Sequence, residues 1–269
     1  MSVEAQLFLQ EHTEAPAVFP FGAGEVVVFT RPSPDREGPN EDSAVLASLV
    51  LQRDVMAVAD GAGGGPQGAK ASALALEGLL HDLERAARAE VMLREAILSG
   101  FETANRMVTE LGGGAGTTLA VVGLEGGAIR TYHVGDSAVL VEGQRGKRKL
   151  ETVAHSPVGY AVEAGFLDER KAMHHEERHL VNNLLGGPEM RVEMSAKLRL
   201  AARDTLLIGS DGLFDNLHVD ELVDLIRKGP LRKVAADLVE RTSKRMLDPR
   251  DGAPSKQDDL TFILYRPST

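Results

Sequence analysis

A short apolar strand that ends in an acidic turn limits most strongly how this chain can fold. The run from Val55 to Ala59 is apolar and contains two valines, and Asp60-Gly61 follows it directly. Such a run predicts a buried strand, and the glycine, which tolerates unusual backbone angles, predicts a turn after it. A carboxylate is therefore expected at the end of a buried strand. For a single Asp-Gly pair the simplest interpretation is a connecting turn, because both residues favour turns.

A predicted loop and two predicted helices follow this strand. Glycine is frequent in residues 63–68, which predicts a flexible loop. Apolar residues at helical spacing predict one helix between Lys70 and Leu83 and a second between Val91 and Leu111. We expect both helices to cover one face of a sheet.

The combination of a strand and an aspartate recurs along the chain. Asp136 and Asp211 each follow a predicted strand, and Asp258 precedes one with a single residue between them. The predicted strands cover residues 25–30, 44–50, 55–59, 117–122, 128–134, 138–141, 205–208 and 260–265. Four strands that each carry an aspartate at one end indicate carboxylates that converge on one edge of a sheet. Such carboxylates cannot all stay ionised without a counter-ion.

The composition narrows the chemistry that these carboxylates can support. The chain has no cysteine, so disulfides, thiolate zinc sites and cysteine nucleophiles are excluded. Oxygen ligands without sulfur suit hard cations such as Mg²⁺ and Mn²⁺. Two such ions can bind a phosphate and lower the pKa of a shared water until it is a nucleophile near neutral pH. The residues therefore predict metal-assisted hydrolysis of a phosphoester.

Length and charge exclude several other classes of protein. With 269 residues, 43% of them hydrophobic, the chain can bury a large core, and we favour one large domain. The formal net charge of -10 argues against nucleic acid or a membrane surface as a partner, since both are polyanionic. The first residues carry no basic segment, and no apolar run approaches the roughly 18 residues of a membrane span. We therefore expect a cytoplasmic protein.

Six short motifs occur in the order in which one known family carries them. They are Asn40-Glu41-Asp42-Ser43, Val58-Ala59-Asp60-Gly61-Ala62-Gly63-Gly64, Gly116-Thr117-Thr118, Val134-Gly135-Asp136-Ser137, Ser210-Asp211-Gly212-Leu213 and Asp258-Asp259-Leu260-Thr261. Together they resemble the metal-dependent serine/threonine protein phosphatases of the type 2C (PPM) family, bacterial type. The resemblance runs from about Val26 to Tyr265. Each motif alone is weakly specific, but six in the correct order are highly specific.

The resemblance implies a centre that holds two Mn²⁺ or Mg²⁺ ions. Asp60 would bridge the two ions. Glu41 and the Gly61 carbonyl would bind one of them, and Asp211 and Asp258 would bind the other.

The resemblance assigns roles to three further residues. Asp42 would orient a metal-bound water, and Asp136 with Asp211 would hold a third, weaker ion. The phosphate-binding arginine of the family usually lies four positions before the motif glutamate, where this chain has Glu37. Arg36, one place earlier, is therefore our candidate for that role.

The resemblance also implies a fold, a domain organisation and partners. The fold class is α+β, a four-layer α-β-β-α sandwich in which helices flank two antiparallel sheets. Residues 1–22 are interpreted as an N-terminal extension, residues 23–269 as the phosphatase domain, and about 155–191 as a flap insertion. The expected activity is hydrolysis of phosphoserine and phosphothreonine in phosphorylated proteins. A serine/threonine protein kinase is expected to act in the same signalling pathway.

Two rival interpretations remain. Gly63-x-Gly65-x-x-Gly68, between a predicted strand and a predicted helix, fits the dinucleotide-binding fingerprint of an oxidoreductase. That fold needs a second parallel strand ending in an acidic residue about 20 residues later, and here helix fills the distance. The other rival is a catalytically weak, phosphatase-like binding or regulatory module. Because all the core carboxylates are present, an active enzyme is favoured over this module.

Overall fold

The computed structural model describes residues 3–34, 37–62, 66–89, 91–249 and 252–268. Within these ranges the strands are β1 (Glu4–Leu9), β2 (Ala17–Phe21), β3 (Gly24–Arg31), β4 (Asp42–Leu49), β5 (Arg53–Ala62), β6 (Gly116–Thr117), β7 (Leu119–Glu125), β8 (Ala128–Val134), β9 (Ala138–Gly143), β10 (Lys147–Glu151), β11 (Glu193–Met194), β12 (Leu198–Arg199), β13 (Thr205–Gly209) and β14 (Leu260–Pro267). The helices are α1 (Pro66–Ala89), α2 (Leu93–Leu111), α3 (Pro157–Glu163), α4 (Glu169–Ala172), α5 (Asp211–Phe214), α6 (Val219–Ile226) and α7 (Leu231–Leu247).

The strands form two antiparallel sheets. The first has the order β1-β4-β5-β7-β8-β11, with β6 beside β5 and β12 beside β8. The second has the order β10-β9-β13-β14-β3-β2. In the first sheet Asp42 lies opposite Asp60, and in the second Gly209, the last residue of β13, lies opposite Phe262 near the start of β14. The register therefore brings acidic segments of both sheets to one end of the molecule.

Helices cover the outer face of each sheet, and an apolar layer separates the sheets. Leucines of α1, such as Leu76 and Leu83, pack with α2 and the first sheet in one core cluster. Helices α6 and α7 pack in the same way on the second sheet. Val58 and Val122 of the first sheet meet Ile208 of the second in the layer between them. The predicted α+β, four-layer α-β-β-α sandwich is confirmed.

The first helix begins earlier than its apolar pattern predicts. It starts at Pro66, a residue whose fixed backbone angle suits the first turn of a helix. Gly68 is therefore helical and not part of a loop, whereas residues 63–65 of the predicted glycine loop lie outside the described residues. Strand β5 also continues to Ala62, because Gly61 and Ala62 pair with β6. Asp60 thus lies inside a strand, and the predicted turn at this point is wrong.

The N-terminal residues pair with both sheets. β1 is the edge partner of β4, and β2 is the edge partner of β3. Phe8 and Phe21 are buried in the layer between the sheets. The boundary of an extension at residue 22 stays a prediction, although these strands belong to the two sheets.

Residues 155–191, the flap, contain only the short helices α3 and α4 and are otherwise irregular. Among the described helices, none is both long and apolar enough to cross a membrane.

Candidate metal centre

The backbone around Asp60 is fixed by two threonines. The Asp60 amide donates to the Thr118 hydroxyl at 2.9 Å, and the Asp60 carbonyl accepts from the Thr118 amide at 2.9 Å and from the Thr117 hydroxyl at 2.8 Å. The Thr118 hydroxyl also lies 2.7 Å from that of Ser137. These bonds join Asp60 to the segment that carries the next aspartate, Asp136.

Glu41 and the Gly61 carbonyl face the same small space at the start of α1. The Gly61 amide donates to the Glu41 carbonyl at 3.2 Å. A Cβ atom added at Gly68 would lie 2.0 Å from Glu41 Oε2 and 2.9 Å from the Gly61 carbonyl oxygen. Both oxygens therefore point towards the glycine, and only a residue without a side chain fits between them.

Asp136 lies in the turn between β8 and β9. Gly135 before it has φ +103°, a conformation that glycine adopts easily and other residues rarely do. Burial raises the pKa of Asp136 to about 8, and the charges of Asp211 and Asp215 add to this increase. The turn thus holds a carboxyl group that is strongly disfavoured as an anion unless a cation is close.

Asp211 and Asp258 come from the second sheet and share a lysine. Asp211 opens α5 directly after β13, and Asp258 lies just before β14. The Lys256 ammonium contacts Asp211 Oδ2 and lies 2.9 Å from Asp258 Oδ2 and 3.5 Å from Asp215 Oδ2. Burial lowers the pKa of Lys256, but the three carboxylates outweigh burial and hold it above its usual range.

Mutual repulsion ties the carboxylates of the two sheets together. Burial raises the pKa of Asp60 well above its usual value, and the charges of Asp42, Asp211, Asp136 and Asp258 raise it further. Burial likewise raises the pKa of Asp42. The four predicted aspartate ligands therefore repel one another electrostatically across the gap between the two sheets.

The donor set fits hard divalent cations. All the predicted ligands present oxygen, the donor that Mg²⁺ and Mn²⁺ prefer. Asp211 Oδ1 is buried and has no hydrogen-bond partner within the described part of the chain. A buried carboxylate oxygen of this kind is costly unless a cation or donor reaches it.

Three residues near the centre were missed by the sequence analysis as functional residues. Asp259 accepts from the amides of Ser33 and Glu41, each at 2.7 Å, and so holds the loop that carries Glu41. The Ser210 hydroxyl donates to Asp42 Oδ2 at 2.7 Å. Asp259 and Ser210 lie inside recognised motifs, so their positions could have drawn attention. Nothing in the sequence pattern points to Lys256.

The candidate phosphate-binding residue, Arg36, lies outside the described residues. Arg31, the nearest described arginine before it in the chain, donates to the carbonyls of Thr13 and Glu14 at 3.3 and 3.1 Å. Arg31 thus binds the segment between β1 and β2.

A cleft separates the centre from the flap. It has a volume of about 310 Å³ and is lined by Asp136, Asp211 and Asp215 on one side and by Gly159 and Arg178 of the flap on the other. Arg178 donates to the Ser255 carbonyl at 2.8 Å, next to Lys256. The flap is therefore tied to the segment that brings Lys256 into the centre.

A second group of possible metal ligands, His133, His155 and Glu193, lies at the base of the flap. His155 Nδ1 accepts from the Gly135 amide at 3.1 Å and lies 2.9 Å from the Asn183 amide nitrogen. A neutral imidazole that accepts at Nδ1 carries its proton on Nε2, the atom that faces Glu193 at 3.4 Å. That nitrogen then has no lone pair for an ion, so these residues form a structural network.

Comparison with known proteins agrees with this architecture. The sequence model of the family described as Protein phosphatase 2C matches residues 35–248. The chain is 29% identical over 231 residues to the serine/threonine protein phosphatase PstP of Mycobacterium tuberculosis. The aligned region covers 84% of this chain and 41% of PstP. It is also 29% identical over 202 residues to the serine/threonine phosphatase stp of Listeria welshimeri. That aligned region covers 70% of this chain and 77% of the Listeria protein. The chain thus spans less than half of the length of PstP.

Solved structures share the fold. The serine/threonine phosphatase of S. agalactiae aligns with a TM-score of 0.76 at 27% identity, over 90% of this chain and 98% of that one. The catalytic domain of PstP in complex with two manganese ions aligns with a TM-score of 0.64 at 23% identity. The alignment covers 91% of this chain and 98% of that domain. With the family match extending over most of the sequence, the chain belongs to the protein phosphatase 2C family of serine/threonine phosphatases.

Proposed function

We propose that this chain removes phosphate from phosphoserine and phosphothreonine in proteins, using a centre of two divalent ions. The observation that carries the proposal is the convergence of largely buried carboxylates from both sheets, where Asp211 and Asp258 share Lys256 and each carboxylate raises the pKa of its neighbours. Such an arrangement is unfavourable without cations, and it is what a site for hard divalent ions requires. The catalytic domain of PstP, solved with two manganese ions, supports Mn²⁺ as the first ion to test.

The roles of the individual residues are carried over from the family resemblance, and their positions are compatible with these roles. Asp60 lies at the middle of the group and would bridge the ions, with Glu41 and the Gly61 carbonyl on the side of α1. Asp211 and Asp258 would hold the second ion. When bound, the ions supply positive charge for the phosphate oxygens and lower the pKa of a water that attacks phosphorus.

Two residues would act beside the ions. Asp42 is almost fully buried and faces Asp60 across β4 and β5, so its carboxylate can accept a hydrogen bond from the attacking water and orient it. Asp136, with Asp211, would hold a weaker third ion on the side of the flap cleft.

Partners and location follow from the proposed reaction. The substrates would be phosphorylated proteins in the cytoplasm, and a serine/threonine protein kinase would supply them. The net charge of -10 disfavours nucleic acid and membrane surfaces as partners. We place the catalytic domain at residues 23–269.

The metal centre can be tested by removing single charges. Asp60→Asn and Asp211→Asn should each lower kcat for p-nitrophenyl phosphate by about 100-fold or more, because ion binding contributes several kcal/mol to the transition state. EDTA should abolish the activity of the wild type, and added Mn²⁺ should restore that activity. Asp54→Asn is the matched control, since Asp54 is also a buried carboxylate of β5. Full activity in EDTA, with no metal in the purified protein, would refute the proposal.

Arg36 can be tested separately as the residue that binds phosphate. A guanidinium suits bidentate contact with a phosphate, so Arg36→Ala should raise KM more than it lowers kcat. Arg31→Ala is the control, because Arg31 binds backbone carbonyls and its loss should lower the Tm without changing KM. A raised KM in Arg31→Ala alone would show that the phosphate-binding arginine is misplaced.

A further inference from the structure

The side chain of Lys256 reaches the metal centre from the segment before β14. Its ammonium contacts Asp211 Oδ2, lies 2.9 Å from Asp258 Oδ2 and lies 3.5 Å from Asp215 Oδ2. Only 23% of this side chain is exposed. One positive charge is therefore surrounded by three carboxylates in a mostly buried position.

The backbone of Lys256 is held in place by a buried asparagine. The Lys256 amide donates to Asn216 Oδ1 at 2.9 Å, and the Asn216 amide group donates to the Lys256 carbonyl at 2.8 Å. The same amide group also donates to the Gly212 carbonyl at 2.8 Å, next to Asp211. Asn216 is fully buried. The position of Lys256 beside Asp211 is thus built into the fold.

An ammonium and a divalent ion that share the carboxylates of Asp211 and Asp258 disfavour each other, even where the ion takes Asp211 Oδ1 and the ammonium keeps Oδ2. The lysine ammonium is a compact point charge that donates hydrogen bonds and accepts none. Two cations that share the same carboxylates repel each other strongly, because Coulomb energy rises as distance falls. Asp211 and Asp258 are the two residues proposed for the second ion, so Lys256 and that ion compete for them.

We propose that Lys256 is a resident cation of the Asp211 side of the centre, which competes with a divalent ion for Asp211 and Asp258 and weakens its binding there. The inference rests on the proposed roles of Asp211 and Asp258. In the metal-free protein, Lys256 balances the charge of Asp211, Asp215 and Asp258. Lys256 therefore weakens the binding of the ion held by Asp211 and Asp258, and we expect this ion to be the weaker of the two.

Calorimetric titration of the metal-free full chain with Mn²⁺ tests this proposal. In Lys256→Met, the weaker of the two ions should bind about tenfold more tightly or better, which corresponds to about 1.4 kcal/mol or more. The tighter ion should keep its Kd. Lys228→Met is the matched control, because it removes the same charge from an exposed loop beside Arg266, near the end of β14 distant from Asp258. A general charge effect would tighten the binding of both ions, whereas competition with Lys256 affects the binding of only one.

Thermal unfolding gives a second measurement. Without metal, Lys256→Met should have a lower Tm than the wild type, because three carboxylates lose their counter-ion. Added Mn²⁺ should then raise the Tm more in the variant than in the wild type. If Lys256→Met does not fold without metal, the same titration is made with Lys256→Gln.

The outcomes separate this proposal from the proposed function. An unchanged or weaker Kd for the second ion in the variant, with normal Mn²⁺ binding otherwise, would overturn the role of Lys256 alone. Tighter binding of both ions in the variant would overturn this role as well. If neither wild type nor variant bound Mn²⁺, both the metal centre and the role of Lys256 would be refuted.

Discussion

At the scale of single residues, the absence of a side chain at Gly68 is as important to the centre as the carboxylates. Alanine is a better helix former than glycine by about 1 kcal/mol, so Gly68→Ala would favour α1 if space allowed. A Cβ atom there would lie 2.0 Å from Glu41 Oε2, which forces the glutamate to move. We expect Gly68→Ala to weaken Mn²⁺ binding and lower kcat while the protein stays folded. Calorimetry and p-nitrophenyl phosphate assays measure the two effects.

Gly143→Ala is the matched control for this prediction. A Cβ atom at Gly143 would meet nothing nearer than 3.5 Å, which is an ordinary contact distance. Its Mn²⁺ affinity and kcat should equal those of the wild type. Equal values for Gly68→Ala would mean that Glu41 does not need its observed position.

The sequence could predict the acidic residues of the site but not the contacts between them. The strand patterns and the motif order drew attention to Asp60 and Asp211 because each lies in or beside a β-branched, apolar run. Lys256 lies in an irregular segment, where no periodicity fixes the direction of a side chain. Two of its three partners, Asp211 and Asp215, are distant from it in sequence, so only the folded chain reveals them.

At the scale of elements, a buried asparagine, Asn183, joins the two ends of the flap. The Asn183 amide group donates to the Arg191 carbonyl at 2.7 Å and lies 2.9 Å from His155 Nδ1, while its oxygen accepts from the Arg191 amide at 3.0 Å. His155 in turn bonds the Gly135 amide, next to Asp136. The base of the flap and the β8–β9 turn are therefore parts of one network.

Asn183→Ala should loosen the flap and leave the sheets intact. Losing a buried, fully bonded polar group costs about 1–3 kcal/mol, and here the cost falls on residues 155–191. Hydrogen exchange in the flap should become faster, and KM for a phosphopeptide should rise more than KM for p-nitrophenyl phosphate. Asn182→Ala is the control, since Asn182 is exposed. If both variants exchange at the wild-type rate, the network does not hold the flap.

The strands that the sequence analysis missed lie at the edges of the sheets. β1 has three exposed residues at its start, and β10 has a charged sequence, Lys147-Arg148-Lys149. Edge strands face water along one side, so they lack the apolar run that reveals a central strand. The central strands β5, β7, β13 and β14 were predicted because burial on both faces demands continuous apolar residues. The four-layer packing followed from the family resemblance and could not be derived from these patterns alone.

At the scale of the whole molecule, stability should depend on one acid remote from the centre. Glu142 of β9 is fully buried, and neither carboxylate oxygen has a hydrogen-bond partner among the residues described. Burial raises its pKa above the usual value. A raised pKa in the folded state means that the protonated form stabilises the fold. This contribution is present below the unfolded pKa of about 4.3 and is lost as the pH rises through the folded value.

Glu142→Gln should therefore stabilise the protein near neutral pH, because glutamine resembles the protonated acid. Each unit of pKa difference corresponds to about 1.4 kcal/mol. The Tm of the variant should exceed that of the wild type at pH 8, and the difference should disappear at pH 4. Glu240→Gln, an exposed change on α7, is the control. A constant difference at both pH values would contradict the assignment.

The order of the strands has a consequence for a chain that is still being made. β4 pairs with β5 and β7 pairs with β8, which are neighbours in sequence, and β5 meets β7 after α1 and α2, so the middle of the first sheet can form before β14 is made. β3 pairs with β2 on one side and with β14 on the other, and β14 lies far along the chain. The apolar residues Val26 to Phe29 of β3 therefore gain their second neighbouring strand only after β14 has been made. Until then β3 exposes an unpaired edge, which is a place where chains can aggregate. The growing chain also lacks Asp258, so under the proposed ligand roles its metal centre is incomplete until the second sheet closes.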